Sequence, residues 1–460
     1  MKKICIVGLL MFASPLHCYA TIMNHREVTS NPLLFKQDDY SCFDDKTLSF
    51  EIVPWGSGTF DPAHTMANLG INGTDTMVLN QQGGGDINPE LILLGSANVD
   101  RDYLSTVTLQ PKMYMFGGLF HLYKQFKIFF LDLKTSLINC RTQIVIDEVG
   151  GGNGGMTQPD GTIITNALQA FSQADWSYGK FGTVQNKVGL DNVQFMFGAS
   201  KEMESFSSAC WHNYGAAFML LELPTAKGSQ AEWLFEPMVG TKHCGLGFGA
   251  DFMSVTDSQW SFVGGGNYRY LFAANEVRSF DLAPNGAWSR YLGLQEIAQI
   301  GSGPVNPLPG INLFTQDTHV DGTSQITMYA RLQKRWEHCL FEVSYNFFHT
   351  QAETVSLVNE TISDQFGVYY VTDFGGVTTA SNATIAQANP AFDLAPVTLL
   401  ATDLNVATGA AGAWTSNMVA GRFQYQFDKI SCGLGGSVEM AHSVQALSSW
   451  SVWLNLEVLV

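Results

Sequence analysis

Twelve stretches of alternating apolar and polar residues run through the chain, and they constrain its fold more than any single motif. Alternation with a period of two places the apolar side chains on one face of an extended strand and the polar side chains on the other. The twelve predicted strands cover residues 48–54, 106–122, 126–141, 188–200, 208–223, 239–253, 259–273, 324–332, 337–351, 413–427, 430–442 and 450–460. The chain is therefore expected to be all-β.

The connections between these strands are long and short in turn. Those that follow odd-numbered strands are long at residues 55–104, 142–187, 275–323 and 352–412 and shorter at 224–238 and 443–449, whereas those that follow even-numbered strands are short turns. A closed transmembrane barrel sorts its connections in this way, and a soluble β-sandwich has no reason to. The pattern predicts a closed antiparallel up-and-down transmembrane β-barrel of about 12 strands, within a range of roughly 10 to 16, with short periplasmic turns and long extracellular loops.

The apolar faces of these strands are suited to lipid. Runs without charge occur at Phe341, Val343, Tyr345 and Phe347, at Phe423, Tyr425 and Phe427, and at Leu246, Phe248 and Phe252. Aromatic residues near strand ends predict an interfacial girdle: Phe126, Trp260, Trp336, Phe427 and Trp450. Charged residues form only 14% of the chain, against roughly 25% in ordinary soluble domains. A soluble core also uses alternating apolar residues, but the sorted connections and the low charge favour lipid.

The opposite faces carry charges of both signs and are expected to line the lumen. The candidate lumen-lining residues are Lys112, Asp132, Lys134, Asp251, Arg269, Arg331, Glu342, Arg422, Glu439 and Glu457. Such a lumen has two interpretations. It forms a hydrated path for small polar solutes, or its charges pair and plug a narrow barrel. Acidic residues concentrated outside the strands would favour cations at the mouth.

The N-terminal residues have the pattern of an export signal. Lys2 and Lys3 precede an apolar run from residue 4 to residue 13, and Ala20 is a small residue at the expected cleavage point. A lipoprotein signal ending at Cys18 is the alternative, although His17 does not suit it. No later window has the ~18 apolar residues of a membrane helix. The predicted domains are a signal peptide (1–20), an N-terminal periplasmic segment (21–47) and the barrel (48–460).

Cleavage would leave six cysteines, which are widely spaced and include no CxxC pair: Cys42, Cys140, Cys210, Cys244, Cys339 and Cys432. Disulfides and small apolar residues facing lipid both remain open interpretations. His243–Cys244 and His338–Cys339 are adjacent pairs, whose side chains point to opposite faces of a strand. We therefore expect no metal and no cofactor.

No motif indicates an enzyme. Gly150, Gly152 and Gly155 have dinucleotide-fingerprint spacing, but Pro159 follows where the helix should begin, so an external loop is expected. His442 and Ser443 are consecutive, so they would face opposite sides and could not act as the base and nucleophile of an outer-membrane phospholipase. The net charge, 24 − 41 = −17, argues against nucleic-acid binding.

The last strand presents one apolar face through Trp450, Val452, Leu454, Leu456, Val458 and Val460. It resembles the terminal strand of bacterial outer-membrane β-barrel proteins, which closes the barrel and is read by the assembly machinery, although Val460 stands where an aromatic residue is usual. The resemblance implies a porin-like protein of the Gram-negative outer membrane, with lipid and the barrel-assembly machinery as partners. The first functional prediction is a pore for passive diffusion of small polar solutes or ions. The alternatives are a structural or host-contact barrel with a closed lumen, and a secreted soluble β-rich binding or adhesive protein.

Overall fold

The computed structural model describes residues 26–31, 48–80, 85–92, 98–99, 103–151, 156–157, 162–203, 211–296, 308–359, 362, 364–368, 398–443 and 446–460. Within these ranges no helix is both long enough and apolar enough to cross a membrane.

A closed antiparallel barrel of twelve strands dominates the molecule. The strands are β1 (Leu48–Thr59), β2 (Leu104–Phe126), β3 (Phe129–Gly150), β4 (Val193–Met203), β5 (Trp211–Leu223), β6 (Gly245–Thr256), β7 (Trp260–Leu271), β8 (Thr323–Trp336), β9 (Cys339–Thr350), β10 (Trp414–Phe427), β11 (Ile430–Ala441) and β12 (Ser449–Leu459). Each strand pairs with the next, and β1 pairs with β12 to close the sheet. The predicted fold class and the predicted strand number are confirmed.

The two ends of the barrel differ because the described turns of two or three residues lie at one of them. We call this the turn end; residues 127–128, 257–259, 337–338 and 428–429 lie there, and β1 begins there beside the end of β12. The other end, the loop end, carries the long connections. One predicted strand begins too early, because β6 begins at Gly245 rather than at residue 239. Residues 188–190 form a strand as predicted; they belong to Val184–Leu190, which pairs with β3 in the same sheet as β4.

Side chains alternate between a buried inward face and an exposed outward face along most barrel strands. On β12, Trp453, Asn455 and Glu457 are buried, whereas the apolar residues of the predicted terminal signal face outward. Trp260, Trp336, Phe126 and Phe427 are exposed at the turn end, and Trp450 is exposed at the loop end. An unpaired backbone group in lipid costs several kcal/mol, and closure of the sheet supplies the partners.

β2 corrects the predicted assignment of faces. Because Lys112 was predicted to line the lumen, the alternating pattern assigns Val107, Leu109, Met113 and Met115 to the lipid face, but these four side chains are buried inside the molecule. β1 pairs with residues 114–124 of β2, so the first ten residues of β2 extend beyond its neighbour at the loop end. Where β2 extends beyond the lipid, its apolar side chains point inward and its polar side chains point outward, because the exterior there is water and the interior is apolar.

The long connections fold together into a cap over the loop end. Its strands are Thr76–Asn80, Asn98–Val99, Met156–Thr157, Ile163–Ile164, Val184–Leu190, Ala274–Ser279, Asp281–Leu282, Gly293–Glu296, Leu308–Pro309, Thr315–Val320, Val355–Leu357, Phe366–Val368 and Leu404–Asn405. Its α-helices are Pro62–Leu69, Pro89–Ile92, Ala167–Ala170 and Gly310–Leu313, and its 3-10 turns are Ser289–Tyr291, Ala401–Asp403 and Val406–Gly409.

Aromatic packing and hydrogen bonds between different connections hold the cap together. Phe171 stacks on Phe181 with ring centroids 4.4 Å apart, and Trp176 stacks on Tyr291 at 5.2 Å. Trp288 Nε1 donates to the carbonyl of Leu69 at 2.9 Å, which joins the connection between β7 and β8 to the connection between β1 and β2. The β7–β8 connection also contacts the connection between β3 and β4, because Tyr291 Oη donates to the carbonyl of Gly179 at 2.8 Å. The cap therefore has its own apolar core, continuous with the upper interior of the barrel.

Candidate functional site in the barrel lumen

The inward face of the barrel carries most of the charges that were predicted to line the lumen. The structure places nine of the ten candidates there with buried side chains: Asp132, Lys134, Asp251, Arg269, Arg331, Glu342, Arg422, Glu439 and Glu457. Lys112 is a correction, because it lies on the outward face of β2. It is just past the part of β2 that pairs with β1, where the outward face meets water and a charge is stable.

Near the turn end, four charged or titratable side chains form a continuous chain across β1, β2 and β3. Nδ1 of His121 lies 3.1 Å from Oε2 of Glu51, and Nε2 of His121 lies 3.2 Å from Oδ1 of Asp132. Lys134 Nζ lies 2.8 Å from Oδ2 of Asp132. The sequence interpretation missed Glu51 and His121, although their positions in the alternating pattern could have identified them as inward-facing.

Polar contacts carry this chain around the wall to β12, β11 and β10. Asn455 Nδ2 donates to Glu51 at 2.7 Å, and Glu457 accepts hydrogen bonds from Ser49 at 2.9 Å and Ser431 at 2.7 Å. Gln424 on β10 donates to Ser431 at 2.7 Å. Carboxylates buried in this way are stable because each has donors within hydrogen-bond distance.

Glu342 on β9 completes this arrangement between two arginines. Arg422 Nη2 lies 2.7 Å from Glu342, Arg331 Nη1 lies 3.7 Å away, and Gln333 donates to the same carboxylate at 2.7 Å. We call all these contacts near the turn end the lower network. It involves eight of the twelve strands, β1–β3 and β8–β12.

A second group of charges, the upper network, surrounds Arg269 of β7. Arg269 Nη1 lies 3.0 Å from Oε2 of Glu27 and also contacts Glu222 of β5. Asn192 Nδ2 donates to Glu27 at 3.1 Å and to Glu222 at 2.6 Å. Glu27 does not belong to the barrel wall. The charge of Arg269 on β7 is therefore neutralised in part by a residue that precedes the first strand.

Glu27 is part of a short N-terminal segment, residues 26–31, that lies inside the barrel. Val28–Ser30 forms a 3-10 turn, and the backbone N–H and Oγ1 of Thr29 donate to Asp191 at 3.3 and 3.4 Å. Arg26 donates to Asn346, and its guanidinium carbon lies 4.3 Å from the ring centroid of Phe348. Residues 21–47 were predicted to be periplasmic, and for residues 26–31 that prediction is wrong, because their charged side chains have partners in the lumen. The rest of the predicted segment lies outside the described residues.

Asp191 has an unusual environment for a carboxyl group. It lies in the two-residue break between the strand Val184–Leu190 and β4, both of which pair with β3, and it is fully buried. Burial, and secondarily the nearby Glu27 carboxylate, raises the pKa of Asp191 to about 7. Close to neutral pH this carboxyl group therefore changes charge where the N-terminal segment contacts the wall.

The outward face carries a few polar side chains near the loop end. His349 Nδ1 lies 2.9 Å from Thr415 Oγ1, and His442 contacts Asn417. The His–hydroxyl pair on neighbouring strands could not be found from sequence spacing along one strand. A base beside a hydroxyl is one part of a nucleophilic site, which also requires donors for the developing oxyanion.

Among the described residues, no group of three or more His, Cys, Asp or Glu side chains could hold a metal ion. The four described cysteines, Cys140, Cys244, Cys339 and Cys432, are free. Cys42 and Cys210 lie outside the described residues, and so do positions 152–155 of the glycine motif that begins at the end of β3.

The closed barrel, its exposed apolar belt and its charged interior define a transmembrane β-barrel of the outer-membrane class. No family model and no curated protein sequence matches the chain.

Solved barrels resemble it weakly. One is the COG4313 outer membrane channel from Pseudomonas putida F1, at 8% identity over 93% of this chain and 100% of that chain, with a TM-score of 0.42. A second is the transport unit of the autotransporter AIDA-I from Escherichia coli, at 9% identity over 92% of this chain and 93% of that chain, with a TM-score of 0.31. A third is OccK7 from Pseudomonas aeruginosa, at 9% identity over 91% of this chain and 99% of that chain, with a TM-score of 0.24. The classification depends on the geometry of the barrel and not on these scores.

Proposed function

We propose that the protein is an outer-membrane barrel whose lumen is closed at rest and which anchors the cap at the cell surface. One observation carries this proposal: residues 26–31 lie across the interior and ion-pair with its wall, through Glu27 to Arg269. The cap would be the part that contacts extracellular partners. Lipid would surround the belt, and the assembly machinery would read the outward face of β12.

The two networks support closure at different depths. In the lower network, Glu342 lies between Arg331 and Arg422, and Asp132 lies between His121 and Lys134. Separating such buried pairs exposes uncompensated charge in a low-dielectric interior and costs roughly 3–5 kcal/mol for each pair broken. A solute that passed through would have to replace these contacts. The mixed charges predicted from the sequence therefore favour the plugged interpretation over the hydrated one.

A pore that conducts after the N-terminal segment leaves is the second candidate function. The contacts that hold residues 26–31 are non-covalent, and Arg26 Nε lies 3.7 Å from Glu439, beyond hydrogen-bond distance. Small polar solutes or ions would then be its cargo. We propose no catalytic role.

Planar-bilayer recordings of the refolded chain test both candidates. We expect no steady single-channel current from the wild-type barrel. A variant lacking residues 21–31 should remain non-conducting if the lower network alone seals the lumen, and should conduct if the segment is the gate. Heat-modifiable gel mobility would establish that each variant is folded, and Arg141→Ala, on the outward face of β3, is the matched control. Steady current from the wild-type chain would rule out a lumen that is closed at rest.

The position of the cap is tested separately on intact cells. Lys227 is exposed in the connection between β5 and β6, at the loop end. An impermeant amine-reactive reagent should label the peptide that contains Lys227, as read by mass spectrometry, and a Lys227→Arg variant identifies that signal because it keeps the other exposed lysine of this connection, Lys242. Absence of label on Lys227 in intact cells would leave the cap without support as a cell-surface element.

A further inference from the structure

A cavity of about 50 Å³ lies between the N-terminal segment and the barrel wall in the upper lumen. Its charged part is lined by Arg26, Glu27 and Glu439, of which Glu27 is held by Arg269, and hydroxyl and amide side chains line the wall beside it. Its apolar part is lined by Trp55, Trp414 and the thioether side chains of Met113, Met115 and Met418. The wall therefore combines one charged edge with an apolar, polarisable surface. Pockets that bind small organic molecules have this combination of mostly apolar walls and a few convergent polar groups.

Arg26 presents unused hydrogen-bond donors at this cavity. Its side chain is only 3% exposed, and Nη1 donates to Asn346. Within the described part of the chain, Nε and Nη2 have no hydrogen-bond partner, and the Nε to Glu439 Oε1 distance is 3.7 Å. Nε and Nη2 form one edge of the guanidinium fork, the edge that binds both oxygens of a carboxylate. A buried donor without a partner costs roughly 1–3 kcal/mol, more when it is charged.

The charge of Arg26 is also incompletely compensated. Burial lowers the pKa of Arg26 to about 10, although Glu439 opposes this effect. Glu439 is itself engaged, because it accepts a hydrogen bond from Ser416 Oγ at 2.5 Å. The local environment therefore favours an additional negative charge beside the free edge of the guanidinium.

We propose that this cavity binds a small organic carboxylate, with the carboxylate on the Nε–Nη2 edge of Arg26 and a short apolar chain against the methionine and tryptophan side chains. The size of the cavity sets the length of that chain. At roughly 10–15 Å³ for each water, 50 Å³ accommodates about three to five water-sized groups, so propionate, with its three carbons and two oxygens, is at the upper size limit and long-chain fatty acids do not fit. The site is independent of whether the barrel conducts.

The two tryptophans provide the measurement, because Trp55 and Trp414 both line the cavity. Titrating the folded protein in detergent with sodium propionate should change the tryptophan fluorescence to saturation. Propionamide, which has the same shape without the charge, and sodium chloride at equal ionic strength should not. An equal response to chloride, or the absence of a saturable response to propionate, would overturn the proposal.

Three variants locate the binding. Arg26→Gln should weaken propionate binding about tenfold or more, since it removes the charged fork. Because Arg26 also holds the N-terminal segment, Ser451→Leu is the second variant; it should block binding by filling the cavity while leaving Arg26 in place. Glu439→Gln should strengthen binding, because it removes a like charge. Unchanged affinity in both Arg26→Gln and Ser451→Leu would show that propionate binds elsewhere.

Discussion

Arg269 shows how much a single lumen side chain contributes to the fold. It is 3% exposed, and its guanidinium contacts the carboxyl groups of both Glu27 and Glu222. Arg269→Ala should lower the free energy of unfolding by about 3–5 kcal/mol, because it leaves two carboxylates buried without their cation. Urea unfolding in detergent micelles measures the change. Arg141→Ala, on the outward face of β3, should stay within about 0.5 kcal/mol of the wild type, and equal losses in the two variants would contradict the assigned role.

Asp191 gives the molecule a pH dependence whose sign follows from its raised pKa. A carboxyl group that is protonated more readily in the folded state than in the unfolded state stabilises the fold fully below the unfolded pKa of about 4. That contribution is lost as pH rises through about 7. Between these values the free energy of unfolding should fall by up to about 1.4 kcal/mol per pH unit.

Asp191→Asn, which is neutral at every pH, isolates this effect. The variant should lose the part of the pH slope between 4 and 7 that belongs to Asp191 and should be more stable than the wild type at pH 8. The comparison requires urea midpoints at several pH values for both chains. Parallel pH profiles would mean that Asp191 does not titrate in this window.

We expect the cap and the barrel to unfold separately. Trp176 is 1% exposed and packs edge-on against Phe171 at 5.9 Å as well as stacking on Tyr291. Trp176→Ala should cost the cap about 3–5 kcal/mol through the cavity it leaves. Limited proteolysis should then cut within the cap while the barrel keeps its heat-modifiable mobility. Ile163→Ala, at an exposed position in the cap, is the control, and joint loss of cap and barrel would show that they form one cooperative unit.

The sequence predicts the strands well because its signal is local. The alternating pattern and the sorted connections are sufficient for all twelve barrel strands and for the tight turns between them. The pattern alone does not say which side of a strand faces the interior, and on β2 that side changes its chemistry where the strand leaves the lipid. Val107 and Leu109 were therefore assigned to the wrong face, and Lys112 with them.

The contacts that close the lumen depend on long-range pairing, which no local pattern encodes. Glu27 and Arg269 are distant in sequence, and Glu27 precedes the first strand. Residues 26–31 do not alternate and carry no export or strand motif, so only the folded chain places them in the barrel. The cap also depends on long-range contacts, because hydrogen bonds such as the one from Trp288 to Leu69 join connections that are remote in sequence.

The whole molecule is oriented by its apolar belt, and two residues of equal exposure test this. Leu434 lies near the middle of β11 and Ile163 lies in the cap, and each is 58% exposed. Leu434→Arg should destabilise the bilayer-inserted protein by about 2–4 kcal/mol, since the charge would lie in hydrocarbon. Ile163→Arg should have almost no effect because its surroundings are water. Folding measured in lipid vesicles distinguishes the two, and similar costs would indicate that the belt does not meet lipid.

The seam between β1 and β12 constrains the order of assembly. Residues 26–31 come shortly before β1 in the chain, yet they end up enclosed by a cylinder that β1 itself completes. Because the lower network lies between this segment and the turn end, we expect the segment to be drawn inside before, or together with, the final pairing of β1 with β12. A bulky folded tag inserted just ahead of Arg26 should stall biogenesis with the seam unzipped, whereas the same tag in an exposed stretch of the cap should not.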